Sequence, residues 1–468
     1  MSAVGLYFYK KTDNLSDYIL GGRNLNPWVS AISAQASDMS GWLLMGLPGY
    51  AYVAGLEASW ISVGLALGTY LNWKYTAKRL RIFSQRTDDA ITLSSYFQKR
   101  FRTNSISLRL LTSFFILFFF TIYTSSGLVA SGKLFNSIFS VDYIWALGIG
   151  LTTVVLYTFL GGFMAVSWTD LFQGMLMFFA LLIVPFVLLG KTGGITNTID
   201  IINTIDPKLL TFSIGSIGLM SIISNAAWGL GYFGQPHILA RFMAVRNPDE
   251  IKYSRLISMV WVMISLAAAV IIGILGRAYY MNTPDFSSET VFLKASAELF
   301  PPLISGVLLS AVLAAIMSTA DSQLLVASSA FVEDIYNVLS KKVLDQKKQV
   351  WMGRFIVLGI AIIAFILGIN PENTVLGMVS YAWAGLGGTF GPAVLFSLYY
   401  SKTTYKGMFY GILSGGLTVI IWKNFLNGGI FELYEIVPAF LVSSMMIFII
   451  SNIDKNNQDV DYFKELLK

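Results

Sequence analysis

The stretch from Ser37 to Gly49, SDMSGWLLMGLPG, lies inside an apolar run that begins near residue 27, and it is not the sequence of a plain membrane helix. Its first five residues carry a carboxylate, two hydroxyls and a glycine at the depth where a span should be purely apolar. A second run, residues 213–240, is interrupted in a comparable way by Asn225, Gly229, Gly231, Gly234 and Pro236. The two interruptions lie five apolar runs apart. Broken helices at matching positions of two halves mark an inverted-repeat transporter whose site sits at the bilayer midplane. An odd number of helices per repeat inverts the second copy. The expectation is therefore an all-α membrane protein in which spans one to five and six to ten form a five-plus-five inverted repeat, with discontinuous spans one and six. The alternative for the sixth span is close packing, since glycine and proline are common in membrane helices.

Composition places the rest of the chain around these two spans. Of 468 residues 55% are hydrophobic and only 12% charged, against roughly 25% charged in soluble domains. A bilayer core takes about 20 apolar residues per helix, and about twelve such runs are present, near 27–48, 52–73, 107–137, 142–162, 170–190, 213–240, 254–276, 302–333, 351–369, 372–399, 406–422 and 433–451. Unbroken apolar runs are not the alternating pattern of a barrel strand, so helices are required. The division that follows is 1–26 as the remnant of an N-terminal helix and a cytoplasmic lead-in, 27–190 as the first repeat, 191–399 as the second, and 400–468 as two added helices with a polar tail. Gly5 to Tyr9 followed by Lys10 and Lys11 reads as the end of a helix whose beginning is missing.

The net charge of +6 reports topology. With the first full span entering from the cytoplasm, all but six of the 32 Lys and Arg fall on the cytoplasmic side; the exceptions are Lys133, Lys191, Lys208, Arg277, Lys294 and Lys423. That is the positive-inside pattern, and it makes nucleic acid an unneeded partner. There is no cysteine and a single histidine, His237, so neither thiolate nor histidine metal sites are available. Residues 76–107 and 279–300 are long enough for short amphipathic helices that cap the two membrane faces.

Asp38 lies near the middle of the first span. A carboxylate there costs about 2.5–3.5 kcal/mol on insertion scales. A bound cation, a proton, or backbone N–H groups freed at the break would each offset that, as would a structural role capping the half-helix that follows. The eighth span carries the other polar cluster, and Ala315, Ser318, Thr319 and Ser322 share one face of it at helical spacing. Hydroxyls facing carbonyls released at the first break make an all-oxygen donor set for a hard cation; the competing reading is a small-residue packing face. Asp170, at the expected start of the fifth span, forms a Ser-x-x-Asp capping box with Ser167 or serves a cation. Glu57 is interfacial, and His237 is read as a local hydrogen-bonding residue.

Together Ser37–Gly49, Trp228–Met243 (WGLGYFGQPHILARFM) and Met317–Ala330 (MSTADSQLLVASSA) resemble the sodium:solute symporter family, and within it the bacterial members that carry proline. The resemblance runs from Asp17 to about Asn452. It implies a LeuT-like fold and secondary active symport of sodium with L-proline, or a similar small amino acid, across the cell membrane, with no enzymatic step. It also implies a sodium site made by Ala36, Met39, Ala315, Ser318 and Thr319, supported by Asp38, and a proline site lined by Ser40, Gly41, Trp42, Tyr123, Trp228, Tyr232 and Pro236. Some relatives hold a second sodium between an aspartate at the position of Asp170 and hydroxyls of span eight, around Ser318 and the two positions after Ala320. Here those two are Asp321 and Ser322, so a carboxylate replaces one hydroxyl and the number of ions is open. The alternatives are a sodium- or proton-coupled carrier of another solute, or a sensor built on a transporter scaffold.

Overall fold

The computed structural model describes residues 19–467 apart from 104, 161, 284–285, 341–344 and 455–456. The apolar stub at Gly5–Tyr9 lies outside them. Among the described residues the chain is helical throughout, and the one β-type contact is an isolated bridge between Leu25 and Val245. Among the described residues seven helical stretches are long and apolar enough to cross a membrane, and Tyr143–Thr158 is a shorter apolar helix. Large apolar side chains such as Trp145, Phe186, Leu303, Phe425 and Ile453 are exposed, while the interior is an apolar core with many buried Ser and Thr and a few buried Asp and Arg among it. Apolar surface facing outward is what a lipid solvent requires.

The first apolar run is two helices. Asn26 caps α1 (Pro27–Ala36) by accepting the Val29 N–H at 3.0 Å, and Pro27 occupies the first turn, where its missing N–H costs nothing. The helix stops where its backbone bonds turn inward: Asp38 and Met39 both donate to Gln35 O, and Ser40 N–H donates to Asp38 O. After Ser40 the chain resumes through a wide π-type turn, Trp42–Gly46, into α2 (Leu47–Ala54). Such turns recur at functional sites. Gly55, at φ +63°, ends α2, and any Cβ there would lie 2.0 Å from Leu209 O.

The remaining spans are α3 (Ser59–Leu71), α4 (Ser107–Phe139), α5 (Tyr143–Leu160), α6 (Phe163–Lys191), the pair α7 (Leu219–Ala226) and α8 (Pro236–Ala244), α9 (Ile251–Tyr279), α10 (Pro302–Ser329), α11 (Gln346–Leu367), α12 (Val375–Tyr399), α13 (Tyr405–Phe425) and α14 (Ile436–Asp454). Between α7 and α8 the chain tightens into a 3₁₀ stretch, Ala227–Gly234, and Gln235 is extended before Pro236 starts α8. The two readings of this run, break and close packing, both hold. A Cβ at Gly229 would meet Gly64 O of α3 at 2.1 Å, and one at Gly231 would meet Trp383 Nε1 of α12 at 1.9 Å. Short helices Lys78–Arg86, Leu93–Arg100 and Val291–Glu298 lie where surface caps were expected.

Helix packing has a recurrent order. α1 packs against α6 and α9, and the 227–234 stretch packs against α12 and α3. Likewise α4 packs against α12 while α10 packs against α6, and α4 and α10 pack against each other.

Candidate functional site

Breaking α1 leaves carbonyls without helical partners, and buried carbonyls must find donors elsewhere. Ala36 O accepts from two side chains of α10, Ser318 Oγ at 2.8 Å and Thr319 Oγ1 at 3.3 Å; Ser318 Oγ also lies 3.1 Å from Ala315 O. Asp38 O accepts from Trp42 Nε1 at 3.1 Å and from the Tyr123 hydroxyl of α4 at 3.0 Å. All of these residues are buried. The α10 hydroxyls thus reach the break itself, at Ala36, and Met39 lies buried in the same turn.

The Asp38 carboxylate does not cap the half-helix after it. It crosses to the other broken span, where the Tyr232 hydroxyl donates to Oδ2 at 2.8 Å, and Oδ1 has no hydrogen-bond partner. Tyr232 O in turn accepts from Asn72 Nδ2 at 2.9 Å, and Trp228 O from Trp383 Nε1 at 2.8 Å. Asn72 and Trp383 are therefore supports that sequence reasoning did not single out. Trp42 and Trp228 approach with ring centroids 5.8 Å apart, and Tyr232 meets Trp383 edge-on at 5.1 Å.

Ser40, Trp42, Tyr123, Trp228 and Tyr232 are thereby gathered around one aspartate. Gly41 faces α4 and α10, its Cβ position 2.9 Å from Ala130 and 3.3 Å from Ile316. Pro236 is elsewhere: it lines an inner cavity with Thr92, Leu325 and Asp334, whose volume of about 20 Å³ admits little more than one water. On the outer side a vestibule of about 470 Å³ is lined by Tyr50, Asn225, Glu289 and Tyr434, with Trp228 at its base. Of the clustered side chains only Trp228 lines that vestibule, and Ser40, Trp42, Tyr123 and Tyr232 are buried, so the cluster is closed off.

Two sets of contacts hold it so. At the inner ends, Leu25 N–H donates to Ala244 O and Arg246 N–H to Leu25 O, both at 3.0 Å, and Arg23 donates to Met243 O, Ala90 O, Ser84 and Asp89. At the outer ends, Glu57 Oε1 accepts from Tyr50, Ser221 and Asn225 at 2.7–3.2 Å, which joins α2 to α7. Glu57 is thus a clasp between the broken spans, not a bystander at the interface.

Asp170 is also differently placed from its expectation. α6 begins at Phe163, so Asp170 lies in its second turn, and Ser167 Oγ has no partner; no capping box forms. Asp170 Oδ2 instead accepts from Ser33 Oγ at 2.6 Å and from Arg241 Nη2 at 3.2 Å, both ionic side chains being fully buried. Arg241 Nη2 also donates to Ser322 Oγ at 2.6 Å, and Ser322 stands 3.4 Å from Asp321 Oδ1. Arg241 belongs to the Trp228–Met243 motif, whose spacing carries no sign of these contacts. His237 is buried with both ring nitrogens unpartnered; its carbonyl accepts from Arg241 Nη1 at 3.0 Å.

Broken apolar helices with buried oxygens at the break, beneath a vestibule open to one side, define a multi-pass membrane transporter rather than an enzyme. The chain belongs to the sodium:solute symporter family, whose profile matches residues 18–415. Among its relatives are the sodium/proline symporters of Salmonella typhimurium and Escherichia coli, each 48% identical over 461 residues, 97% of this chain and 91% of theirs. The high-affinity proline transporter PutP of Bacillus subtilis is 47% identical over 456 residues, 96% and 95% of the two chains. In fold, the chain is similar to a sodium-coupled sialic acid symporter in its substrate-bound outward-open state, with a TM-score of 0.79 at 19% identity over 97% and 95% of the chains. It is also similar, with a TM-score of 0.56 at 13% identity, to the nucleobase-cation symporter Mhp1 in a closed conformation.

Proposed function

We propose that the chain is a secondary active transporter that couples inward sodium flux to uptake of L-proline by alternating access. Sodium is a transported ion here, not a resident cofactor. The observation that carries this reading is the meeting of Ala36 O with Ser318 Oγ and Thr319 Oγ1 inside the membrane. Two hydroxyls that donate to one freed carbonyl turn their lone pairs to a cation when it enters, and neutral oxygens are what a hard monovalent ion selects. Ala36, Met39, Ala315, Ser318 and Thr319 would hold the ion, with Asp38 beside them supplying negative charge.

Proline would lie against Ser40, Trp42, Tyr123, Trp228 and Tyr232, beneath the vestibule. Aromatic faces suit a compact pyrrolidine ring, and N–H groups at a broken helix suit its carboxylate. Gly41 would let the backbone approach. Pro236 would start the inner half-helix, on the exit side of the pocket, which its place beside the small inner cavity supports. A carbonyl of the same aspartate bridges Trp42 and Tyr123, so ion and amino acid would order one shared turn.

The five-plus-five inverted repeat, 27–190 and 191–399 with 400–468 appended, is supported by the packing order. Exchanging each span with the one five positions later maps α1–α6 onto the 227–234 stretch with α12, α1–α9 onto that stretch with α3, and α4–α12 onto α10–α6. Rocking of one part of such a repeat against another carries a midplane site from one face to the other. A charge crossing 100 mV supplies about 2.3 kcal/mol and a tenfold sodium gradient about 1.4 kcal/mol. Together they allow several hundredfold accumulation per sodium.

Uptake of radiolabelled proline into proteoliposomes, with sodium replaced by choline at fixed pH, tests the coupling. Uptake should vanish; a carrier driven by protons through Asp38 keeps its activity. Trp228→Ala and Tyr232→Ala should each abolish saturable proline uptake, and unchanged uptake removes the pocket.

A further inference from the structure

On the outer surface of the helix bundle α3 and α9 lie against each other, and each carries a stripe of exposed apolar side chains at helical spacing. Leu67 and Leu71 mark the stripe on α3; Leu256, Val260 and Met263 mark the one on α9. Both stripes run out at their cytoplasmic ends into basic and aromatic residues. Past Leu71 the chain widens into a π-type turn, Asn72–Ala77, which also packs against α9. There Lys74 Nζ stands 5.5 Å from the centre of the Tyr70 ring and 5.1 Å from that of Tyr75. The Arg255 guanidinium of α9 stands 5.5 Å from the centre of the same Tyr70 ring. One exposed tyrosine is thus shared by two cations from two helices. Among the described residues no ion pair includes either of them. The carboxylates nearest Arg255 in sequence are engaged elsewhere, Asp249 with Lys78 at 2.6 Å and Glu250 with Arg246 at 2.8 Å.

We propose that Lys74 and Arg255 together bind the phosphate of an anionic phospholipid whose acyl chains lie along the two apolar stripes. Two like charges drawn to one ring repel each other, and an anion that bridges them relieves the repulsion. Basic residues at the cytoplasmic surface attract anionic headgroups, and tyrosine rings belong at headgroup level. A zwitterionic lipid would bring its own ammonium against the two cations, so a headgroup with net negative charge is selected. A free phosphate offers the charge without the chains that the stripes accept, which makes the occupant a lipid. The site adjoins both broken spans. Asn72, in the same π-type turn as Lys74, donates to Tyr232 O at 2.9 Å, and α9 packs against α1. A bound headgroup therefore ties together the cytoplasmic ends of two helices that buttress the breaks. The proposal is independent of the solute carried.

The chain has no cysteine, so a bimane fluorophore on Leu71→Cys reports from beside Lys74 alone. The purified full chain carrying it is reconstituted into phosphatidylethanolamine vesicles with rising amounts of nitroxide-labelled phosphatidylglycerol or, in parallel, nitroxide-labelled phosphatidylcholine. Phosphatidylglycerol should half-quench the probe at a mole fraction about tenfold or more lower, since each cation near the surface contributes roughly fivefold. Lys74→Gln with Arg255→Gln should bring that ratio to about twofold or less. Either glutamine variant alone serves should the pair not insert, and should lower the ratio severalfold. The exchange Lys74→Arg with Arg255→Lys keeps both charges and should retain the preference. So should Lys348→Gln with Lys402→Gln, which removes equal charge from exposed positions elsewhere on the cytoplasmic side. Equal quenching by the two lipids in the otherwise native chain overturns the proposal, as does a preference that survives loss of both Lys74 and Arg255. An equal loss when Lys348 and Lys402 are neutralised shows diffuse surface charge only, and overturns it too. Potassium phosphate that cancels the preference, where potassium chloride of equal ionic strength does not, identifies free phosphate as the occupant and removes the lipid.

Discussion

Ser318 and Ser322 stand one turn apart on the same face of α10, and their surroundings differ in the one respect that decides an ion's fate. Around Ser318 every close partner is a neutral oxygen of the chain's own backbone. Around Ser322 there are two carboxylates and a guanidinium, fully buried. Removing one partner of a buried ion pair leaves the other charge uncompensated, so the charged cluster behaves as a fixed joint between α1, α6, α8 and α10. A neutral cradle has no such penalty to recover and tolerates a guest that comes and goes. On the proposed reading, one helix face serves permanence and exchange a single turn apart.

The comparison breaks first where the fixed joint is cut. Asp170→Ala removes the carboxylate hydrogen-bonded to Arg241 and should cost about 3–5 kcal/mol of stability. Thermal unfolding in detergent reads this as a large fall in midpoint, whether or not sodium is present. Ser318→Ala with Thr319→Ala leaves the buried Ala36 carbonyl without a donor, which should cost less, about 1–3 kcal/mol of sodium-free stability. The sodium concentration for half-maximal proline uptake should rise roughly tenfold or more per hydroxyl, at about 1.4 kcal/mol per decade. If both variants lose stability alike, the division between joint and cradle is wrong.

Tyr232→Phe leaves neither oxygen of Asp38 with a hydrogen bond, a penalty of about 1–3 kcal/mol. Sodium and proline affinities should weaken together, which separate titrations of each ligand check. Tyr123→Phe removes a neutral bond to Asp38 O, so the same titrations should shift by about 1 kcal/mol or less. At the far end, Lys78→Ala removes an exposed pair with Asp249, whose side chains are 53% and 78% accessible. It should change unfolding by no more than about 0.5 kcal/mol.

Both interruptions were legible in the sequence because polar and small residues at matching positions of two apolar runs, one of them a carboxylate, are poorly explained by packing alone. The hydroxyl face of α10 was legible from helical spacing. What spacing does not encode is which elements meet across the fold. Arg241 lies 71 positions from Asp170 and 81 from Ser322, and nothing local links them. The available signal was general: an arginine inside an apolar span has to find a carboxylate, and Asp170 and Asp321 were the buried candidates. The capping box was misread for a boundary reason. Gly162 is extended and α6 starts at Phe163, so the Ser167–Asp170 pair falls past the first turn, where an N-cap has no free N–H to satisfy.

The clasp at Glu57 and the backbone bridge between Leu25 and Val245 bind the two broken spans to each other at both membrane faces. Tied in this way, the pair is braced as one piece, yet α8 is also bonded to α10 through Arg241 and Ser322. In the proposed cycle any displacement that parted Ala36 from Ser318 would strain that bond one turn away, so discharge of the ion would be geared to the charged cluster.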